Sequence, residues 1–555
     1  MRKARDIIIS FAFSKQMRVP ALLLLSAFGF LLAQSPAVIQ FELARLPIRL
    51  ENHASSRKYL VETMAGGVAA FDYDGDGRID LFFTNGASVP SLQKHPGDEN
   101  HLFHNEGGFH FRDVTAESGL SGSGYSIGAA VGDYDNDGRP DLFVSGVNGN
   151  HLYHNDGNGH FSDVTQEAGL AGKDWSVGAA WLDYDRDGLL DLLVVNYVVF
   201  PGEASPECTE TARAIPVYCH PDRFRGLPNR LFHNLGHGKF EDVSERSGIS
   251  GFTGKGMGVA VADYDGDGYP DVFVSNDTLP NFLFHNLRNG KFEEVAMSAG
   301  VGLPDAGRAV SGMGADFRDY DNDGRPDIVF TALAGQTFPI FRNLGKGMFE
   351  DAGYSSGLAA LTIRRSGWGL SLADLDNDGN KDLVTANSHV TDNIAAFSGD
   401  RYELPNSVFR NRGMGKFEDV SATAGAAFQT ARAHRGLAVA DLDNDGRLDL
   451  VITVLGDSPE LWRNITPTAN HWVEFQLAGR SGNHDGLGAR IEIGGQSEVQ
   501  TSAAGYASSV LRPVHFGVGP LKVIPRVAIH WPSGKNQILT RVRADTVVRV
   551  TEPDH

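Results

Sequence analysis

The sequence predicts an all-β fold: a seven-bladed β-propeller followed by a small antiparallel β-domain. Three observations predict it. One nine-residue acidic loop recurs seven times along the 555 residues. Each copy is flanked by short β-rich runs, so that one unit offers four strands, the composition of a propeller blade. Residues 467–555 then leave the repeat and alternate apolar and polar positions, as in Trp472–Leu477 and Ala489–Ile493, with glycine-rich turns between.

The loops read DYDGDGRID from Asp72, DYDNDGRPD from Asp133, DYDRDGLLD from Asp183, DYDGDGYPD from Asp263, DYDNDGRPD from Asp319, DLDNDGNKD from Asp374 and DLDNDGRLD from Asp441. Aspartate fills positions 1, 3, 5 and 9 of every copy, and glycine fills position 6, where the chain turns sharply. Alternate residues of a tight loop aim their oxygens at one point, and four carboxylates held there without a cation repel each other. A hard cation taking about six to eight oxygens suits this pattern, and calcium is the candidate. Position 7 is expected to offer its backbone carbonyl, which leaves its side chain free to vary. The expected donors are Asp72, Asp74, Asp76, Arg78 and Asp80 in the first loop, and Asp133, Asp135, Asp137, Arg139 and Asp141 in the second. The third has Asp183, Asp185, Asp187, Leu189 and Asp191, and the fourth Asp263, Asp265, Asp267, Tyr269 and Asp271. The fifth has Asp319, Asp321, Asp323, Arg325 and Asp327, the sixth Asp374, Asp376, Asp378, Asn380 and Asp382, and the seventh Asp441, Asp443, Asp445, Arg447 and Asp449. Up to seven calcium ions are implied. No glutamate stands at position 12 and strand-like residues follow position 9, so each loop is a calcium-binding hairpin rather than an EF-hand.

A small apolar stretch precedes each loop (GGVAAF before Asp72, RGLAVA before Asp441). After the loop come a β-rich run and a hydrophobic–aromatic–His/Arg–Asn tetrad ending at Asn105, Asn155, Asn234, Asn286, Asn343, Asn411 and Asn464. A glycine-rich turn then leads to a strand at Phe111, Phe161, Phe240, Phe292, Phe349 and Phe417. The seventh unit lacks this last strand. Gln40–Leu43 partly matches it, so the N-terminal segment is expected to complete the last blade and close the ring, removing exposed edges. The tetrad asparagine reads as a turn residue that satisfies the backbone. His104, His154, His233 and His285 share their position with Arg342, Arg410 and Arg463. Arginine is a very poor ligand, so that position is expected to support a hydrogen bond or a solvated strand edge rather than bind metal.

The first loop aspartate lies 22 to 24 residues before the tetrad asparagine in four units, but 33, 51 and 37 before it in units one, three and six. The extra length belongs in exposed loops, where recognition surfaces concentrate. Tyr218, His220, Arg223, Phe224 and Arg225 of the third insertion, and His389, Asp392, Arg401 and Tyr402 of the sixth, are the candidate ligand-binding groups. Gly124–Gly128 matches a nucleophile elbow around Ser126, but the next unit repeats the pattern at Ser176 and no helix follows.

The formal net charge is −20, and the loops hold 28 of the 69 acidic residues. Seven calcium ions would bring the charge to about −6, so the acidity is chiefly metal-site chemistry and gives no support for a nucleic-acid partner. Arg2, Lys3 and Arg5 precede an apolar run from Val19 to Ala33, short for a membrane span but ordinary for a signal peptide. Residues 1–35 are read as that signal, 36–466 as the propeller and 467–555 as the last domain, with no membrane span in the mature chain. The two cysteines, Cys208 and Cys219, lie close together in the third insertion, and in an exported protein they are expected to form a disulfide, a metal or redox pair with His220 being the rival reading.

The loop, its flanking strands and the tetrad resemble the FG-GAP/VCBS repeats of integrin α-type propellers. Residues 467–555 resemble the ASPIC/UnbV domain in Asn470–Trp472, GNHDGLGARIEI (482–493), GYASS (505–509), HFGVG (515–519) and IHWPSGKNQIL (529–539). The order of the two is similar to the cartilage acidic protein family. The resemblance implies architecture more than activity. The leading expectation is an exported, periplasmic, cell-surface or secreted, non-enzymatic calcium-binding module that adheres to an extracellular glycan or protein. A polysaccharide lyase or dehydratase using propeller-face loops is the alternative, and a scaffold or chaperone-like component is a third.

Overall fold

The computed structural model describes residues 38–554, so the expected signal segment, 1–35, lies outside the described residues. Strands dominate the regular structure of the described chain, and seven of its sheets carry the repeat. Unit two is representative: Tyr125–Gly132, Asp141–Val147, His151–Gly157 and His160–Asp163 pair antiparallel in chain order. In unit seven the outer strand is Phe41–Arg45, which pairs antiparallel with Glu460–Asn464, Phe41 lying opposite Asn464. The segment from Gln40 thus completes the last sheet, as its partial match to the repeat foretold.

The arrangement is propeller-like. The first strand of each unit packs beside the first strand of the next, in order from one to seven, and that of unit seven packs beside that of unit one. The small residues before each loop allow this approach. A Cβ on Gly67 would collide with the carbonyl of Ile127, one on Gly128 with that of Val177, and one on Gly436 with that of Gly66. Larger residues fill the wider space outward. Between units one and two, for example, Phe71, Phe82, Leu142 and Phe161 are buried together.

The centre is packed. Tyr59, Met64, Tyr125, Trp175, Tyr197, Met257, Met313, Trp368 and Tyr506 form one buried cluster drawn from the inner strands, the segment before unit one and the C-terminal region. Tyr506 stacks edge-on against Trp368 at 4.9 Å and donates its hydroxyl to the Met64 carbonyl at 2.8 Å.

The C-terminal residues form two further sheets. One orders Val514–Gly519, His471–Ala478 and Val547–Thr551; the other orders Gln496–Val499, Arg490–Ile493, Val523–His530 and Asn536–Arg543. Val473, Phe475, Ile491, Phe516, Ile529 and Trp531 are buried between them. The expected purely antiparallel domain is corrected in one respect: Glu474–Ala478 pairs parallel with Val547–Thr551. Parallel neighbours need a long crossover, and most of the domain lies between these two strands in sequence. A second departure is larger. Residues 503–511 leave these sheets; Ser509–Leu511 pairs parallel with Ala69–Phe71 of unit one, and Tyr506 bridges to Gly258. The C-terminal region therefore contributes to the middle of the repeat.

Two outcomes follow for stability. Replacing Tyr506 by alanine removes a fully buried ring from the centre and should cost about 3–5 kcal/mol, read by urea unfolding. Deleting residues 36–50 should lower the melting temperature of the whole repeat in one cooperative step; loss confined to unit seven would contradict it.

Candidate metal-binding loops

Each acidic loop joins the first and second strands of its unit, and position 9 is the first residue of the second strand in all seven, from Asp80 to Asp449. The turn between is shaped by two left-handed residues. Position 6 has φ between 84° and 92°, which only glycine adopts readily, and position 4 has φ between 57° and 78°. Glycine or asparagine occupies position 4 in every loop except the third, where Arg186 stands.

Backbone amides then aim the carboxylates. The position-1 aspartate accepts from the position-6 amide in every copy, at 2.6–3.1 Å. The position-5 aspartate accepts from the position-7 amide throughout. The position-9 aspartate is buried and uses both oxygens. In unit five Asp327 accepts from the amides of Tyr320 at 3.2 Å and Asn343 at 2.7 Å. The other six copies repeat both bonds.

The carboxylates converge. In the first loop Asp72, Asp74 and Asp80 each place an oxygen within 4.8 Å of the other two. Burial makes their charge costly. It pushes Asp80 up to about 8 and Asp141, Asp191 and Asp271 up to about 7, with neighbouring loop aspartates adding to the shift and amide hydrogen bonds opposing it. Asp327, Asp382 and Asp449 are raised well above the usual carboxylate range for the same first reason. One buried oxygen each of Asp183, Asp185, Asp376 and Asp443 has no hydrogen-bond partner among the described residues. Crowded, buried, under-partnered carboxylate oxygens are what a hard divalent cation would satisfy, so the residues present fit such an ion.

Two partners of the loops escaped the sequence reading. The tetrad His or Arg reaches back to position 3 of its own loop, as in His154 to Asp135 at 3.5 Å, Arg342 to Asp321 at 2.7 Å and Arg410 to Asp376 at 2.7 Å. The shared role is a positive or hydrogen-bonding group beside the carboxylates, which explains why both residue types occur. At position 7, Arg78, Arg139, Arg325 and Arg447 donate Nε to the carbonyl of their unit's tetrad asparagine and pair with their own position-5 aspartate. Leu189, Tyr269 and Asn380 lack that guanidinium, so this support belongs to four loops only.

The tetrad asparagine is also more than a turn residue. Its amide group donates to the position-8 carbonyl of its own loop and to the position-2 carbonyl of the preceding unit. Asn155 reaches Tyr73 O, Asn343 reaches Tyr264 O and Asn105 of unit one reaches Leu442 O of unit seven, at 2.8–2.9 Å. The four remaining units make the same bond. Position 4 adds a second link, with Asn136, Asn322, Asn377 and Asn444 donating to the position-6 carbonyl of the following loop.

The C-terminal sheets sit over part of this loop face. Asp485 accepts from the Asp133 amide at 2.7 Å, Arg186 donates to the Pro532 carbonyl at 2.9 Å, and His515 meets Asn377 at 2.8 Å. Loop six is the most covered.

The insertions of units three and six, which join the second and third strands, lie at the opposite end of the sheets and meet each other. Lys58 pairs with Asp392 at 2.7 Å, and the Tyr218 hydroxyl donates to buried Glu62 at 3.2 Å and lies 3.4 Å from Asp392. Asn393 donates to the Pro216 carbonyl. Cys208 and Cys219 are disulfide-bonded within this group. Of the expected ligand-binding residues the structure thus brings Tyr218 and Asp392 together, while His220 pairs with its neighbour Asp222 on the surface. Ser126 is buried inside the first strand of unit two, with no helix after it.

Seven repeat sheets with acidic hairpins between their inner strands define a repeat protein of propeller-like class. The chain belongs to the FG-GAP-like repeat family, whose model matches residues 72–144, 133–194, 222–274, 265–330, 319–385 and 391–452, and residues 479–555 match the ASPIC and UnbV domain. It is similar to cartilage acidic protein 1 of Homo sapiens, 28% identical over 304 residues that cover 53% of this chain and 43% of that protein. The Xenopus tropicalis protein is 26% identical over 315 residues, covering 55% and 45%. The chain therefore spans less than half the length of these relatives. Among solved structures, an Agrocybe aegerita lectin that recognises non-reducing terminal N-acetylglucosamine aligns with a TM-score of 0.37 at 16% identity over 77% of this chain and 94% of its own. A Bacillus licheniformis rhamnogalacturonan lyase aligns at 0.38 and 12% over 77% and 76%. Likeness at this level carries no argument about activity.

Asn343→Ala should cost about 1–3 kcal/mol in chemical unfolding, because it strands the buried carbonyl of Tyr264 and the half-buried one of Pro326 together. An exposed asparagine such as Asn289 changed in the same way should cost almost nothing.

Proposed function

We propose that this chain is an exported calcium-dependent binding module: a closed seven-bladed propeller, built on up to seven calcium ions, that holds an extracellular glycan or protein without transforming it. One observation carries the reading. The seven loops repeat one amide scaffold around converging carboxylates, with position 9 buried in every copy and buried oxygens left unpartnered in loops three, six and seven, and a cation at each loop would answer the repulsion. Asp at positions 1, 3, 5 and 9 and the position-7 carbonyl would hold the ion, which supplies charge compensation and rigidity. The cyclic order of inner strands and the asparagine link from unit one to unit seven support closure.

Export is supported by the disulfide and by the signal-like N-terminus, and none of the described helices is long and apolar enough to cross a membrane. Binding rather than catalysis is favoured because Asp392 and Tyr218, the insertion groups brought together, are engaged with Lys58 and Glu62 of the segment before unit one.

Calcium and pH together test the reading. At affinities of about 0.1–1 mM, ordinary for extracellular modules, and about 1 mM calcium, each site would contribute roughly 0.4–1.4 kcal/mol. EGTA should therefore lower the melting temperature sharply. In EGTA the raised pKa values stabilise the fold at low pH, and that contribution is lost as pH rises through about 7 to 8. With calcium the trend should reverse, because protons then compete with the ion. A melting temperature indifferent to EGTA at pH 7.5 would refute the calcium sites. Capture of extracellular glycans and proteins with and without calcium tests the binding role directly.

A further inference from the structure

Between the loops of units seven, one and two and the C-terminal sheets lies a cleft of about 610 Å³. That is the size of a small-molecule site rather than a packing defect. Asn158, Gln476 and Arg549 line it, and their side chains make no hydrogen bond among the described residues. Asn444 and Gln500 add two amides whose nitrogens are already bonded to the Gly77 and Arg512 carbonyls, and Arg512 is fixed in the wall by bonds to the Val439 and Pro513 carbonyls, both at 2.9 Å. Glu474, held by His515 at 3.3 Å, and Asp485, held by the Asp133 amide, place carboxylates in the same wall. Asp72 and Asp74 of loop one form the facing side. Loop one makes no hydrogen bond to the C-terminal sheets among the described residues, so the cleft reaches it directly.

This inventory selects among ligands. Primary amides both donate and accept, guanidinium groups donate, and carboxylates accept. A ligand rich in hydroxyls, each both donor and acceptor, matches all three kinds. An anionic ligand would face Glu474 and Asp485, neither of which belongs to a calcium loop. A flat apolar ligand would find no exposed aromatic ring, since Tyr73, the aromatic residue in the lining, is buried. We propose that this cleft, and not the insertions of units three and six, binds a short neutral oligosaccharide. The proposal rests on the calcium-propeller reading, because loop one forms one wall.

The full exported chain in millimolar calcium would be titrated calorimetrically with a panel of neutral hexose di-, tri- and tetrasaccharides and a matched panel of uronic-acid oligosaccharides. At least one neutral probe should bind, and Arg549→Ala and Gln476→Ala should each weaken it about tenfold with the melting temperature unchanged. These two side chains are exposed and lie outside the loops, so the variants should fold. The cleft assignment is overturned if no neutral probe binds or if only uronic-acid probes bind. It is equally overturned if both variants bind as tightly as the parent while Arg401→Ala in the sixth insertion abolishes binding. Failure is separable from that of the calcium reading: an EGTA-sensitive melt without sugar binding removes the cleft alone, whereas an EGTA-insensitive melt removes the calcium sites.

Discussion

Everything in the repeat depends on one buried carboxylate per unit. The position-9 aspartate opens the second strand, and its two oxygens take the amides of loop position 2 and of the tetrad asparagine. Those bonds set the loop's entry and lock the third strand against it. The asparagine so held is then aimed across the gap to the preceding unit, where it satisfies a buried carbonyl. A buried amide or carbonyl left unpaired is costly, so register within a unit and contact between units are secured by the same atoms. Because the last link joins unit one to unit seven, no unit lacks a neighbour in this chain of bonds.

That device creates its own electrostatic problem. It buries a carboxylate and crowds others around it, and burial is the largest cause of the upward shifts in all seven position-9 groups. The tetrad His or Arg and the position-7 arginines offset part of the repulsion. They do not reach every oxygen, and the unpartnered ones lie at positions 1 and 3. A bound divalent cation resolves this remainder in the proposed reading, with the cationic side chains acting as its outer support.

The two ends of the sheets have been put to different uses. At one end, insertions three and six and the segment before unit one grip each other through Lys58, Asp392, Tyr218 and Glu62. At the other, the C-terminal sheets rest on loops two, three and six and leave loop one open beside a cleft. Tyr506 ties the two ends, since it arises in the C-terminal region and bonds Met64 of the opposite segment through the packed centre.

The sequence by itself determined the unit: the loops, the seven repeats, the four strands of each and the N-terminal strand that completes the last. These follow from local rules, because glycine, aspartate spacing and strand alternation act within a few residues of one another. The disulfide was legible for the same reason. Only the tertiary structure decided which partners the repeated residues take, within a unit and between units. The asparagine's reach to its neighbour, the His/Arg contact to position 3 and the arginine brace at position 7 join residues 2 to more than 300 positions apart. The passage of residues 503–511 into the centre was equally hidden, since GYASS has no periodicity of its own and its partners come from units one, four and five. The cleft shares that origin: its walls come from distant parts of the chain, and only packing puts them face to face.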